Sequence, residues 1–145
     1  MADLLLILRI GGERVAFPAS DVESVIEIDE VTPVPGTAPH IAGLSALRSR
    51  VLTVIDGRVS LGLEHSTVRG GSEAVVVPSD GHLYAVLVDG VEDVVEASAP
   101  RVRAGLPLSG GWQRVLLGTV EAGGDLLLLV DPHALVAGPA MEAAA

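Results

Sequence analysis

The chain contains no cysteine and no lysine, and phenylalanine, tyrosine and tryptophan occur once each. The first absence excludes disulfides and thiolate chemistry. The second excludes any phosphate-binding loop that ends in lysine. With 49% hydrophobic residues but so few aromatics, the core must be built from Val, Leu, Ile and Ala, and β-branched residues of that kind favour strands. Positive charge is also scarce: nine arginines, scattered from Arg9 to Arg114, stand against 19 acids and leave a net charge of −10. Such a surface repels a phosphate backbone and an anionic bilayer, so neither nucleic acid nor direct membrane insertion is expected. The acidic excess is sufficient to keep an apolar-rich domain in solution. Long apolar runs are missing too, because Leu4 to Leu8 and Leu126 to Val130 are far shorter than the ~18–20 residues a spanning helix needs. The opening Met1-Ala2-Asp3 carries no positive charge and Arg9 interrupts the first apolar run, which argues against a signal peptide and for a cytoplasmic protein.

At 145 residues the chain has the size of one domain, able to bury roughly two-thirds of its unfolded surface. Short apolar segments alternate with turn residues, which is the rhythm of hairpins. Strands are expected at Leu4 to Ile10 and Arg14 to Phe17 across a Gly11-Gly12 turn, then at Val25 to Ile28, Ile41 to Leu47 and Arg50 to Ile55. Ser20 followed by Glu23 fits a capping box and predicts one helical turn there. Pro33, Pro35 and Pro39 make their segment a loop, since each removes a ladder donor. Ser66 to Ser72 reads as a polar connection. In the second half, strands are expected at Ala74 to Val77, Leu83 to Val88, Val91 to Glu96, Val115 to Val120 and Leu126 to Val130.

The two halves match each other. Gly12 to Glu27 aligns without a gap on Gly81 to Glu96, and Leu52 to Asp56 aligns on Leu127 to Asp131 at a slightly larger offset. Two ordered correspondences predict two similar five-stranded β-barrel lobes packed into one domain spanning residues 1–145, and barrel closure also removes edge strands that would template aggregation.

No catalytic pattern stands out. His40, His65, His82 and His133 lack the spacing of a metal site, and Gly43-Leu44-Ser45-Ala46-Leu47 lacks the second glycine of a nucleophile elbow. Asp56, Asp89 and Asp131 each follow an apolar strand; Asp131-Pro132 reads as a helix N-cap with proline at the first helical position.

Three segments carry a resemblance: Val31-Thr32-Pro33-Val34-Pro35, Ile41-Ala42-Gly43-Leu44-Ser45-Ala46-Leu47-Arg48-Ser49 and Val51-Leu52-Thr53-Val54-Ile55-Asp56. In order they resemble the signature of the CheW-like family, roughly V-x-P-V-P, G-V-I-N-L-R-G and V-V-P-V-I-D-L. Val88 to Val94 is similar to that family's second-lobe V-D-x-V-x-x-V element, and Leu127 to Leu135 to its closing strand and turn. The resemblance implies an all-β fold of two SH3-like barrel lobes. It implies a non-enzymatic adaptor without a cofactor, joining a chemoreceptor's cytoplasmic hairpin tip to the regulatory domain of a histidine kinase and recruited to membrane-associated receptor arrays.

By resemblance the receptor-contacting residues are Val22, Gly43, Leu44, Leu47 and Arg48, with Arg48 offering a fork of donors and Val22, Leu44 and Leu47 apolar area around it; the competing expectation for Arg48 is an ion pair with a neighbouring acid of the same chain. The same resemblance assigns no kinase-contacting residues. The chain departs from the signature where function would be read: Ala46 and Ser49 replace asparagine and glycine beside the arginine, Ser45 and Thr53 replace an apolar residue and a proline, Gly57 replaces leucine, and Ser24 stands where many members carry glutamate. The competing expectation is a small-molecule-binding barrel or an enzyme that uses the cleft between the lobes.

Overall fold

The computed structural model describes residues 3–64, 71–97, 111–122 and 124–138; His65 and most of the expected Ser66 to Ser72 connection lie outside them. Strands β1 (Asp3–Ile10) and β2 (Glu13–Pro18) form a hairpin across Gly11-Gly12, whose φ values are +61° and +83°. A two-residue turn of this hand needs positive φ at both positions, and glycine reaches it without steric cost. A single 3₁₀ turn at Ala19–Asp21 follows, but the capping box does not form. Ser20 lies inside the turn, Pro18 opens it without a side-chain cap, and the Glu23 carboxylate is taken by Arg50 at 2.9 Å.

The remaining elements are β3 (Ser24–Ile28), β4 (Ile41–Leu47), β5 (Arg50–Asp56), α1 (Gly57–Ser60), β6 (Ser72–Ser79), β7 (His82–Leu87), β8 (Gly90–Ala97), α2 (Gly111–Val115), β9 (Leu116–Ala122), β10 (Asp125–Val130) and α3 (Pro132–Ala137). Val115, expected to begin a strand, instead ends α2.

The strands form two five-stranded sheets, ordered β8-β1-β2-β10-β9 and β3-β6-β7-β5-β4. Neither sheet is a contiguous half of the chain. Each takes strands from both repeats, so β2 pairs in parallel with β10, and β5 in parallel with β7. The repeat is nevertheless exact in register: Leu128 opposite Val15 corresponds to Thr53 opposite Tyr84, and Val95 opposite Leu5 corresponds to Ile26 opposite Ala74. It also extends beyond the residues the sequence aligned. Gly43 in β4 and Gly118 in β9 hold φ values of +148° and +155°, and each follows a one-residue register shift, so the two halves share the same β-bulge.

Three apolar clusters follow from this weave. One lines the first sheet on the side of Leu5, Ile7, Ala16, Leu127 and Leu129. Its counterpart lines the second on the side of Ala74, Val76, Ala85, Leu52 and Val54. The opposite faces of the two sheets meet in the largest cluster, where Leu8, Ile10, Val15 and Phe17 pack with Ile55, Val75, Val77 and Val86. That interface is filled by side chains, which leaves the inter-lobe cleft of the small-molecule or enzyme expectation without support.

Each repeat closes on an aspartate-capped helical turn. Asp56 Oδ1 accepts from the Arg58 and Val59 amides at 3.1 and 3.3 Å, and Asp131 Oδ1 accepts from the His133 amide at 3.0 Å with Pro132 at the first helical position. Alanine at Asp131 is expected to lower stability by about 1 kcal/mol, and at the buried Asp56 by up to about 2 kcal/mol. Urea unfolding checks both, as a lower midpoint at unchanged slope. Between the two turns sits Arg114, which donates to the carbonyls of Ala134 and Ser60 and to the Ser60 hydroxyl, the last two at 2.7 and 3.0 Å. Burial pushes its guanidinium pKa below the ordinary arginine value.

Candidate functional site

At the β4–β5 hairpin the two halves of the repeat differ in their turn residues. Its counterpart between β9 and β10 carries Gly124, at φ +85°, where this turn carries Ser49 after Arg48. Both residues are forced to positive φ, +50° at Arg48 and +65° at Ser49, as a two-residue turn requires. Non-glycine residues hold such angles at a cost of order 1 kcal/mol, and strain of this kind gathers at recognition sites. The glycine found in the family signature therefore has a conformational reason at this position. Ser49→Gly is expected to raise stability by about 0.5–1 kcal/mol, the relief of strain exceeding the added freedom of the unfolded chain. A thermal melt that leaves the midpoint unmoved or lowers it contradicts this account of the turn.

Arg48 is exposed and has no hydrogen-bond or ion-pair partner among the described residues. Its neighbour Arg50 is paired with Glu23 through contacts of 2.9 and 3.3 Å, which ties the hairpin to the chain just before β3. Between the hairpin and β3 lies a depression of about 430 Å³, lined by Ser24, Val25, Ile26, Glu27, Leu47, Arg48 and Arg50. Leu47 and Ile26 turn inward and pack against the cluster of the second sheet, while Val25 is exposed.

The residues expected by resemblance fall into two groups. Leu47 and Arg48 line the depression. Val22 follows the 3₁₀ turn, half-buried against the inter-sheet cluster, and leads through Glu23 into β3. Gly43 and Leu44 stand elsewhere on the hairpin. Gly43 is buried because the backbone of Thr32 lies over it, where a Cβ would come within 2.2 Å of the Thr32 carbonyl oxygen. Leu44 exchanges both backbone bonds with Thr32, at 2.8 and 2.9 Å, and being an odd number of residues from Leu47 it projects from the opposite face of β4. Sequence reasoning missed Ser24 to Glu27 and Arg50 as lining residues. No motif marks them, because β3 reaches the sheet edge beside the hairpin through its long-range pairing with β6.

A second cluster brings together Asp21, Asp131 and His133, all half-buried, with potential ligand atoms within 4.8 Å of one another. Hydrogen bonds already account for it: His133 Nε2 lies 3.3 Å from Asp21 Oδ1, and Asp131 caps α3. His40 is buried, with Nε2 3.0 Å from the Val136 carbonyl and Nδ1 without a hydrogen-bond partner among the described residues. His82 is exposed and meets Tyr84 edge to face. No helix among the described residues is long and apolar enough to cross a membrane.

Comparison with known proteins matches residues 4–139 to the CheW-like domain model. The chain is 26% identical over 137 residues to the chemotaxis protein CheW of Klebsiella aerogenes, covering 94% of this chain and 82% of that protein. It is 20% identical over 143 residues to the chemotaxis protein CheW of Treponema pallidum, covering 95% and 84% respectively. Among solved structures, the scaffolding protein TtCheW from Thermoanaerobacter tengcongensis superposes with a TM-score of 0.72 at 18% identity, covering 90% of this chain and 89% of that one. The register of the two interleaved sheets and the match along nearly the whole chain lead to one conclusion: this chain belongs to the CheW-like family.

Proposed function

We propose that the chain is a non-enzymatic adaptor of chemotaxis-type signal transduction, holding a chemoreceptor's helical hairpin tip and the regulatory domain of a histidine kinase at the same time. The observation that carries the receptor half of this reading is Arg48: an exposed guanidinium without a partner among the described residues, held on a strained turn beside an apolar depression. A guanidinium fork suits a carboxylate or carbonyl on a partner helix, and Val22, Val25 and Leu47 supply apolar area along the same edge. Gly43 and Leu44 support the site differently, by fixing the Thr32 crossing against β4.

The adaptor acts as one unit in this reading. Each sheet needs strands from both halves, and the largest apolar cluster lies between the sheets, so neither half can keep its fold alone. Coupling then arises from the geometry and differential affinity of the bound states, with catalysis left to the kinase. The protein works on the cytoplasmic side of a receptor array. Co-purification from the native cell tests the reading: recovery of a receptor together with a histidine kinase supports it, and recovery of neither, with turnover of a metabolite instead, overturns it.

A further inference from the structure

The two lobes differ at their seams. In the first sheet the end strands β8 and β9 touch, which brings the sheet close to a barrel. In the second, Thr32, in the connection between the end strands β3 and β4, pairs with Leu44, and beyond that point the depression opens between β3 and the Arg48-Ser49 turn.

Pairing parity shows what faces this gap. Leu47 and Arg50 flank a two-residue turn and are a hydrogen-bonded pair, so Ser45 and Leu47 direct their backbone groups to β5 while Leu44 and Ala46 direct theirs outward. Leu44 uses its outward pair on Thr32. Ala46, the next outward residue, has no backbone partner among the described residues. Across the gap, Ser79 and His82 flank the Asp80-Gly81 turn, which points Val76 and Ala74 at β3; the Glu23 amide indeed donates to the Val76 carbonyl at 2.8 Å. Ser24 and Ile26 therefore answer β6, and Val25 and Glu27 turn their backbone groups into the gap.

We propose that this seam is a strand-addition site, which takes a short extended segment of a partner protein running antiparallel to β4 and continuing the pairing that Thr32 begins. Only extended backbone matches donors and acceptors set two residues apart along an edge, and main-chain bonds with alternating side-chain pockets are the mode by which open sheet edges bind peptides. The volume of about 430 Å³ lies within the ~300–1,000 Å³ of small ligand sites. The partly buried Leu47 and Ile26 call for an aliphatic side chain in the segment, and Arg48, exposed and without a partner among the described residues, calls for a neighbouring carboxylate. This site shares Leu47 and Arg48 with the receptor reading but rests on the open backbone edge, which a helical receptor tip cannot satisfy; the two occupants would exclude one another, and the N-methylation comparison reads the edge alone.

The test is a fluorescence anisotropy titration of the full chain with the labelled peptide Thr-Val-Glu-Val-Thr-Val-Thr and with its backbone N-methylated analogue, methylated at alternate residues. Saturable binding, weakened at least tenfold by N-methylation, is the expected result. Ala46→Pro is the matching variant: proline removes only the outward amide and is tolerated on an edge strand, so it should weaken binding by a similar factor while leaving the thermal midpoint near that of the natural chain. Absence of saturable binding at millimolar peptide, or equal binding of the methylated and unmethylated forms, overturns the proposal. The peptide comparison needs no mutant and stands even where Ala46→Pro fails to fold. Equal binding by a folded Ala46→Pro chain also overturns it.

Discussion

Gly43→Ala is expected to lower stability by about 3–5 kcal/mol, a thermal shift on the order of 10 °C for a domain of this size. Two independent costs coincide there. The backbone sits at φ +148°, which side-chain-bearing residues rarely adopt, and a Cβ would lie 2.2 Å from the Thr32 carbonyl oxygen and 2.7 Å from its carbon. Neither neighbour is a flexible side-chain tip, so the chain crossing from β3 to β4 would have to lift and give up its two bonds to Leu44. The alanine chain should also lose receptor binding, but only in proportion to the fraction unfolded or displaced. Differential scanning calorimetry separates the cases. A Gly43→Ala chain with an unchanged midpoint contradicts the close approach described here, and its loss of binding would then make Gly43 a direct contact.

Arg48→Glu is expected to do the reverse: to weaken binding of a receptor fragment at least tenfold while shifting stability by less than about 1 kcal/mol, as an exposed charge usually does. The guanidinium has no partner among the described residues, so its loss frees no buried acid, and glutamate reverses the charge offered to the partner. Titration calorimetry against a receptor hairpin fragment measures the first quantity and thermal unfolding the second. Equal affinity for the two chains removes Arg48 from the site. A large fall in midpoint instead identifies it as structural.

Much of the fold was legible because the strands are short, apolar and punctuated by residues with a single conformational use. Gly11-Gly12 marks a hairpin turn and Asp131-Pro132 marks a capped helix, and both take that form. The Ser20 and Glu23 capping box failed for a tertiary reason, since a salt bridge to Arg50, 27 residues away, engages the glutamate that local pattern would send to the helix end. The repeat was visible in sequence, yet it predicts similar halves and says nothing about which sheet each strand joins. Interleaving depends on the parallel pairings of β2 with β10 and of β5 with β7, long-range contacts with no local signature. At the site, the motif located Arg48, Leu47 and Gly43 but not their separate roles. Gly43 answers to the Thr32 backbone, Leu44 and Leu47 lie on opposite faces, and the β3 side of the depression comes from a segment that carries no motif of its own.

The most direct measurement of the adaptor reading is the rate of kinase autophosphorylation in a reconstituted mixture of receptor-bearing membranes and histidine kinase from the native cell, with and without the chain. The reading predicts that receptor control of the kinase appears only when the chain is present and is lost with Arg48→Glu. The same rate and the same receptor control with and without the natural chain would contradict it.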